Sequence, residues 1–274
     1  MGYFDTLIDK FAENPELEKA FGQHIHWGYW EDASESKGTL LDLGIAANNL
    51  SQKVIQLGGI NNGASILDAG CGFGGTISML NNDFSQLNLV GVNIDEAQVI
   101  RAREIIKPKN NNCIELICAD ACDLPKFQQL FDYVIALECI FSFPGRETFF
   151  QEVRKNLKIG GKLIVVDFII NDKIYYFWEK FEKQVLNRLI TDTYGSKATN
   201  KIKFICLEDY ENMGTNTGFQ LEKVVDITKN VQPTYPVINR LIINSFNDWI
   251  TAKGLEYFSL FDLIKYEILV FNRC

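Results

Sequence analysis

A chain of 274 residues, 47% hydrophobic and 12% aromatic, is long enough to bury a sizeable core and too apolar to stay disordered. Its 35 acidic residues outweigh 27 basic ones, a formal charge of -8, and no basic stripe runs along it, which excludes nucleic acid as a partner. The longest apolar stretches are strand-sized and the opening MGYFDTLIDKFAENPELEK carries acids where a leader would be apolar, so a cytoplasmic protein with no membrane association is expected.

In chain order, the first helical pattern is Phe4, Leu7, Ile8 and Phe11. HIHWGYW, His24 to Trp30, then holds both histidines of the chain within three positions, followed by three aromatics around Gly28. Alternate positions of an extended segment point to one side, and two histidines are too few for a metal site. A helix is predicted from about Thr39 to Leu57. After the turn GGINNGA, Ser65 to Ala69 reads as a strand that runs into a glycine cluster. Strand-like and helical runs then alternate: NLVGVNI and EAQVIRAREII, CIELICA, DYVIALECI and RETFFQEVRKNL, KLIVVDFII. Such alternation predicts a parallel sheet with crossover helices on both faces. The amphipathic insert KIYYFWEKFEKQVLNRLI, within about 171–206, exceeds a crossover and reads as a lid over the carboxyl edge of the sheet. FQLEKVVDIT and YEILVF supply two further strands. The expected organisation is an N-terminal helical cap over 1–58 and a sheet domain over 59–274. Seven cysteines, none in C-x-x-C spacing, read as free thiols, and no metal is expected.

ILDAGCGFGGT contains Gly70-x-Gly72-x-x-Gly75, formally a dinucleotide fingerprint. Asp68, two residues before the first glycine, would face a pyrophosphate with like charge. It suits instead a ligand with an ammonium and a sulfonium, S-adenosylmethionine, for which the glycines provide close backbone approach.

The stretch Asp68 to Gly74, D-A-G-C-G-F-G, resembles the first motif of the class I, seven-stranded S-adenosylmethionine-dependent methyltransferases. Val90 to Glu104 is similar to the second strand and helix of the small-molecule branch that includes sterol, tocopherol and natural-product enzymes. Cys118 to Phe127 resembles the adenine-side loop, and Ala136 to Phe168 the fourth strand, its helix and the L-K-x-G-G turn. HWGYW resembles the H-x-G-Y-W segment found upstream of the sheet in many natural-product members. The match runs from about Ile66 to Asp167 and is looser in the flanks. It implies an α/β fold with a seven-stranded, mostly parallel, doubly wound sheet. It also implies that Asp68, Gly70, Gly72, Gly74, Asn93, Ile94, Gln98, Asp120, Ala121 and Glu138 bind the cofactor. Asp120 stands where the family places a carboxylate on the adenine amino group. Two departures stand out. Asn93 replaces the usual ribose-binding acid, with Gln98 matching a glutamine that shares that job. Phe141-Ser142-Phe143 replaces F-H-F, and Ser142 cannot act as a base near neutral pH.

The resulting expectation is in-line methyl transfer to a small, largely apolar acceptor. A hydroxyl or carboxylate oxygen comes first, including the carboxylate of a short peptide, in keeping with a faint resemblance to the methyltransferase halves of cyanobactin peptide-tailoring enzymes. The alternatives are carbon or nitrogen methylation of an isoprenoid or amine, and a cofactor-binding partner subunit without catalysis. His26, Tyr29 and Glu138 are the expected catalytic residues: His26 as base or orienter, Tyr29 through its ring near the sulfonium. Packing of a cap, for Tyr29, and of the core, for Glu138, are the plain alternatives. A homodimer is the assembly to look for.

Overall fold

The computed structural model describes residues 18, 23–181, 203–242 and 246–274. The helical pattern Phe4 to Phe11 and much of the expected lid fall outside the described residues.

The described part of the cap is a strap, residues 23–30, followed by helix α1, Leu40–Gly58. Thr39 caps α1 by accepting from the Asp42 N–H, and Gly59 closes it in a left-handed conformation, φ 69°. Strand β1, Ser65–Ala69, is buried at every position, as a central parallel strand must be. It leads through the glycine loop into α2, Gly75–Asp83, then β2, Asn88–Asn93, α3, Glu96–Ile105, β3, Cys113–Cys118, and β4, Phe131–Leu137. Helix α4, Arg146–Asn156, crosses to β5, Leu157–Ile170.

After β5 the described part of the insert begins with helix α5, Tyr175–Phe181, and ends at the two-residue strand β6, Ile205–Cys206. Trp178 is buried there against Ile170, Phe204 and Ile264, whereas Tyr176 and Phe177 face outward. Helix α6, Leu207–Asn216, strand β7, Phe219–Asp226, and helices α7, Thr228–Val231, α8, Thr234–Ile242, and α9, Phe246–Leu260, precede β8, Ile264–Arg273.

The sheet order is β3-β2-β1-β4-β5-β8-β7, with β6 on the end of β5. Strands β1 to β6 pair in parallel, and β8 lies antiparallel between β5 and β7. The seven expected strands are thus present, with β6 as a short addition. Alternating residues feed two cores. Ile66, Ile135 and Ile164 face α1, α2 and α3 with Val54, Ile77 and Val99; Leu67, Val134 and Val165 face α4 and α6 with Phe149, Phe150 and Tyr210. Strand order reverses between β1 and β4, and the crevice at their carboxyl ends is where this architecture takes a ligand.

Candidate active site

The turn out of β1 is built from backbone. Gly70 and Cys71 both donate their N–H to the carbonyl of Val92 at 2.8 and 3.0 Å, fastening the loop to β2. Gly70, Gly72 and Gly74 all have left-handed φ angles of 77°, 55° and 81°. At Gly74 a Cβ would also lie 2.4 Å from Ile106 Cδ1, so only glycine lets α2 start this close to α3.

Around this loop stand the expected cofactor residues. Asp68 is buried, and no described residue donates a hydrogen bond to its carboxylate; burial pushes its proton affinity up to about 7. A donorless buried carboxylate fits a ligand that brings its own cation. Asn93 and Gln98 meet at 2.9 Å, Asn93 Nδ2 donating to Gln98 Oε1, because Asp95 caps α3 and turns Gln98 back toward the strand. The Gln98 amide nitrogen finds no acceptor among the described residues, as suits a donor to ribose. Ile94 is 71% exposed at the end of β2, an open apolar face for a flat ring. Asp120 accepts the Cys122 N–H through Oδ1, leaving Oδ2 for an amino group, with Ala121 buried beside it. Ala119 N–H on the Asn93 carbonyl ties this loop to β2. These residues fit S-adenosylmethionine.

Glu138 ends β4 with a left-handed backbone, φ 52°, its N–H on the Val166 carbonyl at 2.9 Å. Its Oε2 accepts twice, from the Trp27 N–H at 2.8 Å and the Tyr266 hydroxyl at 2.6 Å. Its Oε1 takes no hydrogen bond from the described chain. Burial raises the carboxyl to about 8 against the pull of those two donors, and Asp167 adds to the rise. Aromatic rings gather here. Trp27 meets Tyr235 of α8 with centroids 4.2 Å apart and Phe168 at 5.6 Å; Phe168 meets Tyr266 at 4.8 Å and Phe141 at 6.1 Å.

The strap runs between these two halves. It lies so close to α2 that a Cβ on Gly75 would be 2.4 Å from the His24 ring, and one on Gly72 would be 3.2 Å from Ile25. Gly28 leaves no room either, since its Cβ would sit 2.6 Å from that of Ala46 on α1. Gly28 N–H donates to Thr234 Oγ1, and the Trp30 N–H to the Asn230 carbonyl.

His24 and His26 do point to one side, with ring centroids 4.8 Å apart, and both are buried. Burial lowers His24 to about 4; burial and the neighbouring His24 lower His26 to about 3. Both His26 ring nitrogens are engaged inside the chain, on the Trp27 carbonyl and on His24 and Ser51. This arrangement offers no ring nitrogen to an acceptor, contrary to the base or orienter role expected of His26. Tyr29 packs into the core with its hydroxyl on Glu31 at 2.7 Å and Lys53 over its ring, so Trp27, not Tyr29, is the strap aromatic beside Glu138. Trp27 stood within the HWGYW segment, whereas Phe168 and Tyr266 carried no signal beyond hydrophobicity. Only strand pairing brings Tyr266 opposite Phe168.

Residues 67–165 match the family model described as a methyltransferase domain. The chain is 30% identical over 188 residues to the 2-methyl-6-phytyl-1,4-hydroquinone methyltransferase of Synechocystis sp., covering 68% of this chain and 57% of that one. It is 29% identical over 230 residues to the 27-O-demethylrifamycin SV methyltransferase of Amycolatopsis mediterranei, covering 83% and 77%. Its fold matches that of geranyl diphosphate C-methyltransferase from Streptomyces coelicolor, solved with Mg2+, geranyl diphosphate and S-adenosyl-L-homocysteine. The TM-score is 0.73 over 100% of this chain and 98% of that one, at 16% identity, a likeness of fold. The chain belongs to the class I S-adenosylmethionine-dependent methyltransferases. Within them it is an enzyme of the branch that methylates small-molecule natural products, with S-adenosylmethionine as its cofactor. Among the described residues, no helix is long and apolar enough to cross a membrane.

Proposed function

We propose that this methyltransferase acts on a hydroxyl oxygen of an apolar small molecule seated against Trp27, Phe168, Tyr235 and Tyr266, with Glu138 as general base. The observation that carries the reading is Glu138 itself: one oxygen engaged, the other without a partner, inside an aromatic wall, with a proton affinity near neutrality. When bound, the cofactor supplies a methyl carbon made electrophilic by its sulfonium.

Asp68 would hold the cofactor's ammonium, Asn93 and Gln98 the ribose, Asp120 the adenine amino group, and Ile94 and Ala121 the adenine ring. Gly70, Gly72 and Gly74 would admit it to the backbone. Glu138 Oε1 takes the acceptor's O–H proton as the oxygen attacks, while the rings exclude water and fix the line of approach. A carboxylate acceptor would need no base and would meet a like charge in ionised Glu138, so the hydroxyl is preferred. The rifamycin relative, named for an acceptor demethylated at oxygen, supports the oxygen reading. A second reading rests on the ring cluster: with Glu138, it would steady a cation formed by methylating an alkene carbon.

Product mass spectrometry against a panel of hydroxyl, carboxyl, amine and isoprenoid acceptors, including a short peptide, tests this. A methyl ether formed by the unaltered enzyme and not by Glu138→Gln is the expected result. Products only at carbon or nitrogen, or full activity in Glu138→Gln, would overturn it.

A further inference from the structure

The backbone of Trp27 is gripped at both ends. Its N–H donates to Glu138 Oε2 at 2.8 Å, and its carbonyl lies 2.9 Å from His26 Nδ1. Behind His26 the contacts continue to α1. His26 Nε2 is 2.9 Å from His24 Nδ1 and 3.1 Å from Ser51 Oγ, and His24 Nε2 is 2.9 Å from Asn48 Oδ1. Ser51 Oγ in turn lies 3.3 Å from Thr76 Oγ1 in the first turn of α2.

The direction of this chain of contacts follows from donor chemistry. A carbonyl only accepts, so His26 Nδ1 must carry its proton. In an uncharged ring Nε2 is then a lone pair, and the proton between the two rings belongs to His24 Nδ1. His24 Nε2 is left as an acceptor, so the relay requires the Asn48 amide, whose Oδ1 lies nearest that nitrogen, to turn over and present Nδ2 instead. Burial keeps both rings uncharged at neutral pH.

We propose that His24 and His26, both in the Nδ1–H tautomer, form a directional positioning relay that fixes the Trp27 peptide on Glu138 and thereby tunes the base. The proposal rests on the reading of Glu138 as that base. A donor on a carboxylate favours its charged form, so loss of the Trp27 N–H would raise the proton affinity of Glu138. The other groups facing Glu138 come from other elements. Tyr266 of β8 donates to it, and Tyr235 of α8 and Cys139 beside it are pushed up by burial and stay neutral. Asp167 of β5 opposes ionisation and is itself held by Arg146 and Tyr210.

With two histidines in the chain, imidazole nitrogen-15 spectra contain two rings. On the unaltered enzyme at pH 7 both should show a protonated Nδ1 and a bare Nε2. A proton on Nε2 of either ring overturns the relay, whether or not any variant folds. Rate against pH supplies the functional arm. His26→Ala should move the rising limb set by Glu138 upward by roughly one pH unit, lowering kcat about tenfold at pH 7 with little change in cofactor affinity. His26→Asn, whose amide nitrogen can stand close to Nδ1, should return the limb to its place. An unmoved limb in His26→Ala sinks the relay and leaves Glu138 as base. A limb that survives Glu138→Gln and disappears in His26→Ala sinks the reading of Glu138 instead.

Discussion

The carboxyl ends of β1 to β3 and those of β4 and β5 each bury a carboxylate, in opposite circumstances. Asp68 has no donor from the described chain, whereas Glu138 has two on one oxygen. The groups around Asp68 are near neighbours in sequence: the glycine loop begins two residues on, and Asn93 and Gln98 are five apart. Those around Glu138 come from across the chain, Trp27 from 111 positions away and Tyr266 from 128. The first region is a turn waiting for a cation. The second is a tertiary assembly already balanced by its own donors. A change in the first should be felt by the cofactor alone, and a change in the second by the chemistry.

The largest expected effect is on the Glu138 side. Glu138→Gln should cut kcat by about 10²–10⁴-fold while calorimetry finds cofactor affinity within a few-fold. An equal fall in both would erase the distinction between the two regions. Next come Asp68→Ala and Gly72→Val, each expected to weaken cofactor binding at least tenfold, ~1.4 kcal/mol, with the fold retained. The strain of a side chain at Gly72, with Ile25 over it, adds to the second. Unchanged affinity in both variants would detach this loop from the cofactor. Because free Asp68 titrates at about 7, the unaltered enzyme should bind cofactor more tightly as pH rises toward 7 and release a proton on binding. Asp68→Asn should lose both effects.

Gln98→Leu should weaken the cofactor and its demethylated product alike, by a few-fold, since both carry the ribose; an effect on turnover alone would place Gln98 with the acceptor. The effects on stability run in opposite directions. Asp68, raised in the folded chain, contributes stability that is full below about 4 and lost as pH rises to about 7. The histidines, lowered to about 4 and about 3, contribute stability that is full above about 6.5 and lost as pH falls. Urea unfolding across pH should show Asp68→Asn flattening the decline as pH rises from about 4 to about 7, and His24→Leu the decline as pH falls from about 6.5 to about 4.

Much of the first region was legible in the sequence because its geometry is local. D-A-G-C-G fixes a left-handed turn wherever it follows a buried strand, and Asp95 as cap dictates that Gln98 returns to Asn93. The strand–helix alternation likewise carried the sheet. The second region was not legible, since no spacing says that Tyr266 lies beside Phe168 or that the Trp27 N–H ends on Glu138. The histidines show why composition misleads there. Two imidazoles beside aromatics read as catalysts, yet a serine and an asparagine one turn apart on α1, Ser51 and Asn48, share a polar network with them. The lid reading met Trp178 as core, with its neighbours Tyr176 and Phe177 facing outward.

Strand β8 has a consequence for how the chain is made. It is inserted between β5 and β7, both synthesised before it. At ~5–20 residues per second, roughly 5–20 s separate the emergence of the end of β5 from that of β8. During that interval the glycine loop and its parallel neighbours can already pair, while β5 presents a bare edge and Glu138 lacks the tyrosine that will hold it. A nascent chain can therefore have its cofactor turn in place before its acceptor wall exists, and the waiting edge of β5 is where a chaperone, or another copy stalled at the same length, would find it.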